Sequence, residues 1–342
     1  AIHLLVQALS RNTSVIELKF CRGVIRFASV AFQELLTCTQ TLQKLQLIGS
    51  LLHGVDSEYD LDEAQRADIA SGFANNTTLR DLDLKGWREA DLAPVLTALQ
   101  CHPALQKIRF SGEGGNNVPS LSGLEVLLRS QDSKVKELVL EQVDTTRTVG
   151  LHPVLRELER NTIVTSLAIR YSKLSRENVR QVKSMLRQNT ALQCLDLTSS
   201  GLESTGLEEI ASVLYRNTSI KTLDLTNNGL DGIESANVLR ELIRRNKTIK
   251  SLNIRYNGFG LTAVATRIIP YGVLCNSSLQ QLDLYSFKLF DQGISVLANA
   301  LGTRNASILE LNLEYNGITS VGVRALVDDN VGEVKTPKPR QE

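Results

Sequence analysis

The chain of 342 residues predicts an α/β solenoid of about eleven strand–helix repeats, with parallel strands on the concave face and helices on the convex one. Three observations carry that prediction. An apolar-x-x-Leu-x-Leu pattern recurs along the chain, its central apolar residue falling at Leu18, Leu45, Leu82, Ile108, Leu138, Leu167, Leu195, Leu223, Leu252, Leu282 and Leu311. Successive positions lie roughly 28 or 29 residues apart, except between Leu45 and Leu82, where the gap is 37. After each pattern the apolar spacing changes from two to between three and four, the switch from a strand to an amphipathic helix.

The elements follow in order. Ile2, Leu5, Val6, Leu9, Asn12 and Val15 repeat the spacing of Leu207, Ile210, Ala211, Leu214, Asn217 and Ile220. The chain is therefore expected to begin inside a helix, as a piece of a longer polypeptide. Ile220-Lys221-Thr222-Leu223-Asp224-Leu225 alternates as a strand, with Leu223 and Leu225 inward. Leu207, Ile210, Ala211 and Leu214 then form a helical stripe, and Gly293, Val296, Leu297 and Ala300 another. Helices end near Asn, as in Arg216-Asn217-Thr218-Ser219 and Arg304-Asn305-Ala306-Ser307, where a left-handed Asn is expected to stop the helix. The long gap predicts an insertion near 51–63, carrying Asp56, Glu58, Asp60, Asp62 and Glu63 and no base. The solenoid is expected to span 1–330, and 331–342, with Lys335, Lys338 and Arg340 among prolines, to be a flexible basic tail. A strand and helix of this size bury their apolar faces only by stacking on neighbours.

Leu223-Asp224-Leu225-Thr226-Asn227-Asn228-Gly229-Leu230 resembles a leucine-rich repeat, with Leu252 to Phe259 and Leu311 to Ile318 close behind. The repeat length is similar to that of the ribonuclease-inhibitor-like subclass, which includes Ran GTPase-activating protein and the sensor domains of NOD-like receptors. The resemblance implies that Asn228, Asn257 and Asn316 satisfy backbone groups in the turn after the strand. Elsewhere that position holds Ser50, Ser172, Ser200, Gly23, Trp87, Glu113, Val143 or Phe287, so those turns need another solution.

Composition narrows function. A net charge of +1 carries no extreme electrostatic signature, and no apolar run approaches the roughly 20 residues that span a bilayer. Cys21, Cys38, Cys101, Cys194 and Cys275 are odd in number and scattered, which points to a reducing, cytoplasmic setting. No phosphate loop, His-Glu-x-x-His, Cys-x-x-Cys or Gly-x-Ser-x-Gly is present, and the glycine-rich 111–117 stretch, which lacks Lys, reads as a turn. His3, His53, His102 and His152 share no column, so neither a metal nor a catalytic base is expected. Asn-x-Ser/Thr patterns at Asn12, Asn75, Asn76, Asn217, Asn246, Asn276 and Asn305 coincide with helix ends rather than marking glycosylation. The expected protein is non-enzymatic, with no cofactor and no small-molecule, membrane or nucleic-acid partner.

Protein partners are expected on the concave face and the C-terminal rim. The outward position between the two leucines reads Lys19, Gln46, Asp83, Arg109, Val139, Ala168, Asp196, Asp224, Asn253, Asp283 and Asn312. Its Asp/Asn run either keeps the face soluble or forms an acidic stripe toward basic partners. The next two positions bring Arg170, Tyr171, Arg255, Tyr256, Tyr285 and Tyr315 to one rim, and Tyr and Arg are the side chains most enriched at interface hot spots. Arg170 and Arg255 lie three repeats apart, about 14 Å at the spacing of adjacent strands. The acidic insertion is a second candidate, and Arg180, Lys183, Arg187, Arg240, Arg244, Arg245 and Lys247 read as a solvated helix face. The resemblance implies a recognition module or scaffold, the sensing part of a larger signalling protein. The alternative it implies is a GTPase activator in which Arg170 or Arg255 assists phosphoryl transfer.

Overall fold

The computed structural model describes residues 2–21, 25–26, 28–49, 61–87, 89–112, 121, 123–143, 151–257, 265–303 and 307–328. The acidic 51–60 stretch of the insertion, positions 113–117 of the glycine-rich stretch, Gly23, Ser50, Asn305 and the 331–342 tail lie outside the described residues.

Strand and helix alternate as the spacing requires. The order is α1 (Ile2–Ser10), β1 (Glu17–Cys21), α2 (Ser29–Cys38), β2 (Lys44–Ile48), α3 (Glu63–Asn75), β3 (Asp81–Lys85), α4 (Glu89–Ala98), β4 (Lys107–Ser111), α5 (Leu124–Arg129), β5 (Glu137–Glu141), α6 (Leu151–Leu158) and β6 (Ser166–Arg170). It continues with α7 (Arg176–Gln188), β7 (Cys194–Asp196), α8 (Glu203–Leu214), β8 (Thr222–Asp224), α9 (Gly232–Arg245), β9 (Ser251–Asn253), α10 (Ala265–Leu274), β10 (Gln281–Asp283), α11 (Phe290–Thr303), β11 (Glu310–Asn312) and α12 (Ser320–Asp328). The strands follow one another in the sheet in chain order. The chain divides into two compact units, Ala1–Leu167 and Ala168–Glu342.

In the N-terminal unit β1 to β5 run parallel, with Leu18, Leu45, Leu82, Ile108 and Leu138 in register. Leu45, Leu47, Leu82, Leu84, Ile108, Phe110, Leu138 and Leu140 are buried, each stabilising the fold by about 1.5–3 kcal/mol relative to exposure. In the C-terminal unit β7 to β11 are likewise parallel, with Leu195, Leu223, Leu252, Leu282 and Leu311 in register. The stripe Leu207, Ile210, Ala211 and Leu214 is buried, as its spacing predicts.

β1 to β6 are five residues long and β7 to β11 only three. The outward Asx column accounts for the difference. Asp196, Asp224, Asn253, Asp283 and Asn312 each accept, through the side-chain oxygen, the backbone N–H two residues on, of Thr198, Thr226, Arg255, Tyr285 and Glu314. That local bond turns the chain out of the strand. Lys19, Gln46, Arg109, Val139 and Ala168 lack the short oxygen for it, and Asp83 accepts from Gln46 Nε2 at 2.9 Å.

The Asn position of the turn works as the resemblance implies. Asn228 Oδ1 accepts from the N–H groups of Ser200 and Leu202, one repeat earlier, while its Nδ2 donates to the Leu197 carbonyl at 2.8 Å. Asn257 does the same for Asn228, Leu230 and Leu225, and Asn316 for Phe287, Leu289 and Leu284. Trp87 supplies an alternative: its indole Nε1 donates to the Leu47 carbonyl at 3.2 Å, the bond that Nδ2 makes elsewhere. Ser200 Oγ reaches the Ile169 carbonyl, while buried Val143 and Phe287 fill the position with apolar volume.

The Asn at helix ends plays a different part from the one expected. Asn76, Asn189 and Asn246 have extended backbones, with φ of −75°, −72° and −74°, not left-handed ones. Asn246 Oδ1 accepts from the N–H groups of Thr248 and Ile249, and its Nδ2 donates to the Leu214 carbonyl of the preceding helix. Asn76 and Asn161 repeat that pattern toward Leu36 and Leu128. Three of the Asn-x-Ser/Thr asparagines, Asn76, Asn246 and Asn276, are thus buried with their amide nitrogens donating to carbonyls. His102 takes the Asn place in its own repeat: Nδ1 accepts from the N–H groups of Ala104 and Leu105, and Nε2 lies 3.3 Å from Asn76 Oδ1. The geometry assigns a neutral ring with the proton on Nε2. Burial holds its pKa down to about 4.

Candidate functional site

The rim begins where each strand of the C-terminal unit ends. Its first column is Arg170, Thr198, Thr226, Arg255, Tyr285 and Glu314, and its second Tyr171, Ser199, Asn227, Tyr256, Ser286 and Tyr315. Every residue of the second column is left-handed, with φ between 51° and 57°. The equivalent position after β3 is Gly86, which adopts φ +64° without a side-chain penalty. A bulky L-residue held there costs about 1–2 kcal/mol, and such cost tends to persist at functional positions. Tyr171, Tyr256 and Tyr315 accept it while being 57, 51 and 69% exposed.

Sequence spacing alone put the aromatics in neighbouring repeats, and the fold brings three of them together. Tyr256 and Tyr285 have ring centroids 5.0 Å apart and Tyr285 and Tyr315 4.9 Å, a continuous ladder over three repeats. Arg255 lies 6.0 Å from the centroids of both Tyr256 and Tyr285, and its Nη1 is 3.4 Å from Asp283 Oδ2. Hydrogen bonding to Tyr256, with reduced hydration and the nearby Tyr315, pushes the Tyr285 phenol up to about 12. Arg170 and Tyr171 form a separate post, in which Arg170 Nε donates to Asp196 Oδ2 at 2.6 Å.

Between the two Arg–Tyr posts lies a cavity of about 520 Å³, lined by Arg170, Tyr171, Asp196, Thr198, Asp224, Thr226, Arg255 and Tyr256 among others. Small residues of two repeats make its floor. The acidic stripe is engaged from within: Asp224 Oδ1 accepts from Thr226 N and Thr198 Oγ1, and Oδ2 from Asn253 Nδ2 at 2.8 Å. Asp196 Oδ1 accepts both Thr198 donors. Thr198 and Thr226 were not singled out by sequence reasoning. Their signal is the order Arg-Thr-Thr-Arg down one column, visible only when repeats are aligned.

The open sheet face of the N-terminal unit is paired with itself. Lys107 Nζ contacts Glu137 at 3.1 Å, Arg109 Nη1 lies 4.0 Å from Glu141, and Gln46 donates to Asp83. Burial, opposed by Arg109, raises the Asp83 pKa. On the helices, Glu241 is held down to about 2 by Arg244, against burial and with help from Arg245, which accounts for much of the basic face there.

The leucine-rich repeat family model matches residues 188–211, 216–232 and 304–327. Among solved structures, the leucine-rich repeat-containing protein LegL7 from Legionella pneumophila matches with a TM-score of 0.55 at 17% identity, over 97% of this chain and 95% of that one. Leiomodin-1 actin-binding site 2 is 19% identical over 45% of this chain and 90% of its own, with a TM-score of 0.34. The Caenorhabditis elegans tropomodulin C-terminal domain is 15% identical over 51% and 87%, with a TM-score of 0.32. No curated protein matches the chain in sequence.

Proposed function

Since this chain is a leucine-rich repeat protein, built on a fold that generally mediates protein–protein interaction, we propose that it is a recognition module whose partner docks on the rim of the C-terminal unit. The observation that carries the reading is the ladder of exposed Tyr256, half-buried Tyr285 and exposed Tyr315 beside Arg255, with Tyr171 and Arg170 across the cavity. Preorganised aromatics and arginines lose little conformational freedom on binding and offer large contact areas. Asp196, Asp224 and Asp283 belong to the same surface as positioning groups, because they hold the arginines and the turns. No described helix is long and apolar enough to cross a membrane. A cytoplasmic scaffold or sensing role is the setting this reading favours.

The second reading, GTPase activation, requires a guanidinium that reaches a nucleotide. Arg170 and Arg255 instead each contact a neighbouring Asp, which favours recognition. The test is paired capture from lysate with the wild-type chain and with a variant carrying Ala at Arg170, Arg255, Tyr256, Tyr285 and Tyr315, read by quantitative mass spectrometry. Circular dichroism checks that the variant folds. A set of proteins lost from the variant alone supports the reading, and identical captures overturn it. Accelerated single-turnover GTP hydrolysis by the wild-type chain would move the conclusion to the second reading.

A further inference from the structure

Arg255 shows what kind of group this rim holds. Its guanidinium lies 6.0 Å from the ring centroids of both Tyr256 and Tyr285, within reach of the attraction between a cation and an aromatic face, and its Nη1 is 3.4 Å from Asp283 Oδ2. Two neighbouring rings and one carboxylate thus hold one cation. A similar set of groups recurs one repeat further along. Tyr285 and Tyr315 are again neighbouring rings, 4.9 Å apart, and Glu314 stands beside Tyr285 in the first rim column. Neither column holds an Arg or Lys beyond Arg255, so the chain brings no cation of its own to this second set. The Glu314 carboxylate makes no ion pair or hydrogen bond among the described residues. It lines a cavity of about 330 Å³ over β9 to β11, with Asn253, Asp283, Leu309, Glu310 and Asn312 among others. The charged residues of that lining are Asp283, Glu310 and Glu314, with no base. Asp283 is matched by Arg255, whereas Glu310 accepts from the neutral Gln281 amide at 3.0 Å, so two negative charges stay uncompensated. Lys221 and Lys250 stand at the other ends of their strands, five residues before the first rim column and about 16 Å from it along the strand.

Resting on the reading of the rim as a recognition surface, we propose that the face over β9 to β11 takes an arginine side chain from a basic segment of the protein partner. The guanidinium lies against the exposed ring of Tyr315 beside Tyr285 and pairs with Glu314, while Glu310, on the same cavity, adds to the negative field. Charge decides the sign of the occupant, because an acidic group would meet two uncompensated carboxylates. Shape decides between the two basic side chains. A planar guanidinium stacks on an aromatic face and donates to a carboxylate through two parallel N–H groups, whereas an ammonium is a compact charge that gives up its water less readily.

The test selects binders of the full chain from a library of random dodecapeptides and titrates the enriched peptides by fluorescence polarisation. The expected result is enrichment of arginine at one position of the peptides whose binding depends on the rim. Replacing that arginine by citrulline, its neutral isostere, should weaken binding roughly three- to thirtyfold, and replacing it by lysine should weaken it less. Glu314→Gln and Tyr315→Ala should each weaken it about two- to fivefold with the thermal melt unchanged. Glu314→Arg, which fills the place with a cation of the chain itself, should abolish the arginine preference. Enrichment of acidic or uncharged peptides, a preference for lysine, no enriched peptide, equal affinity after the citrulline exchange, or indifference to Glu314→Gln overturns the proposal. If rim-dependent capture survives such a failure, arginine is the wrong partner group and the recognition surface stands. If capture is also insensitive to the rim, both readings fall.

Discussion

The two units are built on one repeat but satisfy their polar groups differently. In the N-terminal unit the strands run to five residues and the open face is covered by cross-strand pairs such as Lys107–Glu137 and Gln46–Asp83. In the C-terminal unit the short Asx side chains turn inward on the backbone, and the Asn ladder serves the turn of the preceding repeat. Those duties are completed below the rim, so the two columns above them are free to carry large side chains. A surface becomes available for recognition when its local hydrogen bonds are met by residues beneath it. Where face residues bind one another, a partner must first break those pairs.

The sharpest way to break the comparison is to remove an Asn from the ladder. Asn257→Ala leaves the N–H groups of Asn228 and Leu230 and the Leu225 carbonyl without their partner. Urea unfolding followed by circular dichroism should show a loss of roughly 3–5 kcal/mol. A loss under about 1 kcal/mol would mean that the ladder does not hold this unit together.

An acid titration comes next. His102 has a folded pKa of about 4, below its unfolded value of 6.5, so the unfolded chain takes up the proton first. Its contribution is present above about 6.5 and is lost as the pH falls toward 4. Linkage predicts about 2 kcal/mol less stability at pH 5 than at pH 7 from this group. His102→Asn, which restores the helix-end asparagine of other repeats, should flatten that dependence, and an unchanged slope would reject the assignment.

Trp87→Phe tests the substitute ladder of the N-terminal unit. It keeps the buried ring but leaves the Leu47 carbonyl unpaired, for an expected cost of about 1–2 kcal/mol in the same urea measurement. The smallest effect has the opposite sign. Tyr171→Asn relieves a left-handed tyrosine, so the melting temperature should rise by the equivalent of about 0.5–1 kcal/mol while partner capture falls. If both decrease together, the tyrosine is stabilising the fold rather than serving the surface.

Much of this was legible in the sequence because the period is regular. Leu18 to Leu311 all fall in strands, and the stripe Leu207, Ile210, Ala211 and Leu214 is buried where its spacing puts it, whereas Val296 of the second stripe and Leu9 of the first helix are only half-buried. The Asn at helix ends was misread for an identifiable reason. Its left-handed role is a local rule, whereas the bond that Asn246 makes to Leu214 reaches into the preceding repeat. Trp87 was equally opaque, since nothing in its neighbours says that an indole N–H can stand in for an amide. At the rim, arginines and tyrosines announced themselves by type. Thr198 and Thr226 did not, because small polar residues are common and only aligned repeats show that these two lie between the Arg–Tyr posts.

The ladder also sets a direction along the chain. The turns after β7, β8 and β10 each depend on an asparagine supplied by the following repeat, so there the cooperative unit is offset from the sequence period by part of a repeat. Swapping whole strand–helix blocks would separate every such asparagine from the turn it serves. Blocks cut between strand and turn would not reunite them either, because the partner lies one repeat downstream. Recombination of repeats in such a protein should therefore succeed mainly in runs long enough to keep donor and recipient together, with the mismatch confined to the two seams.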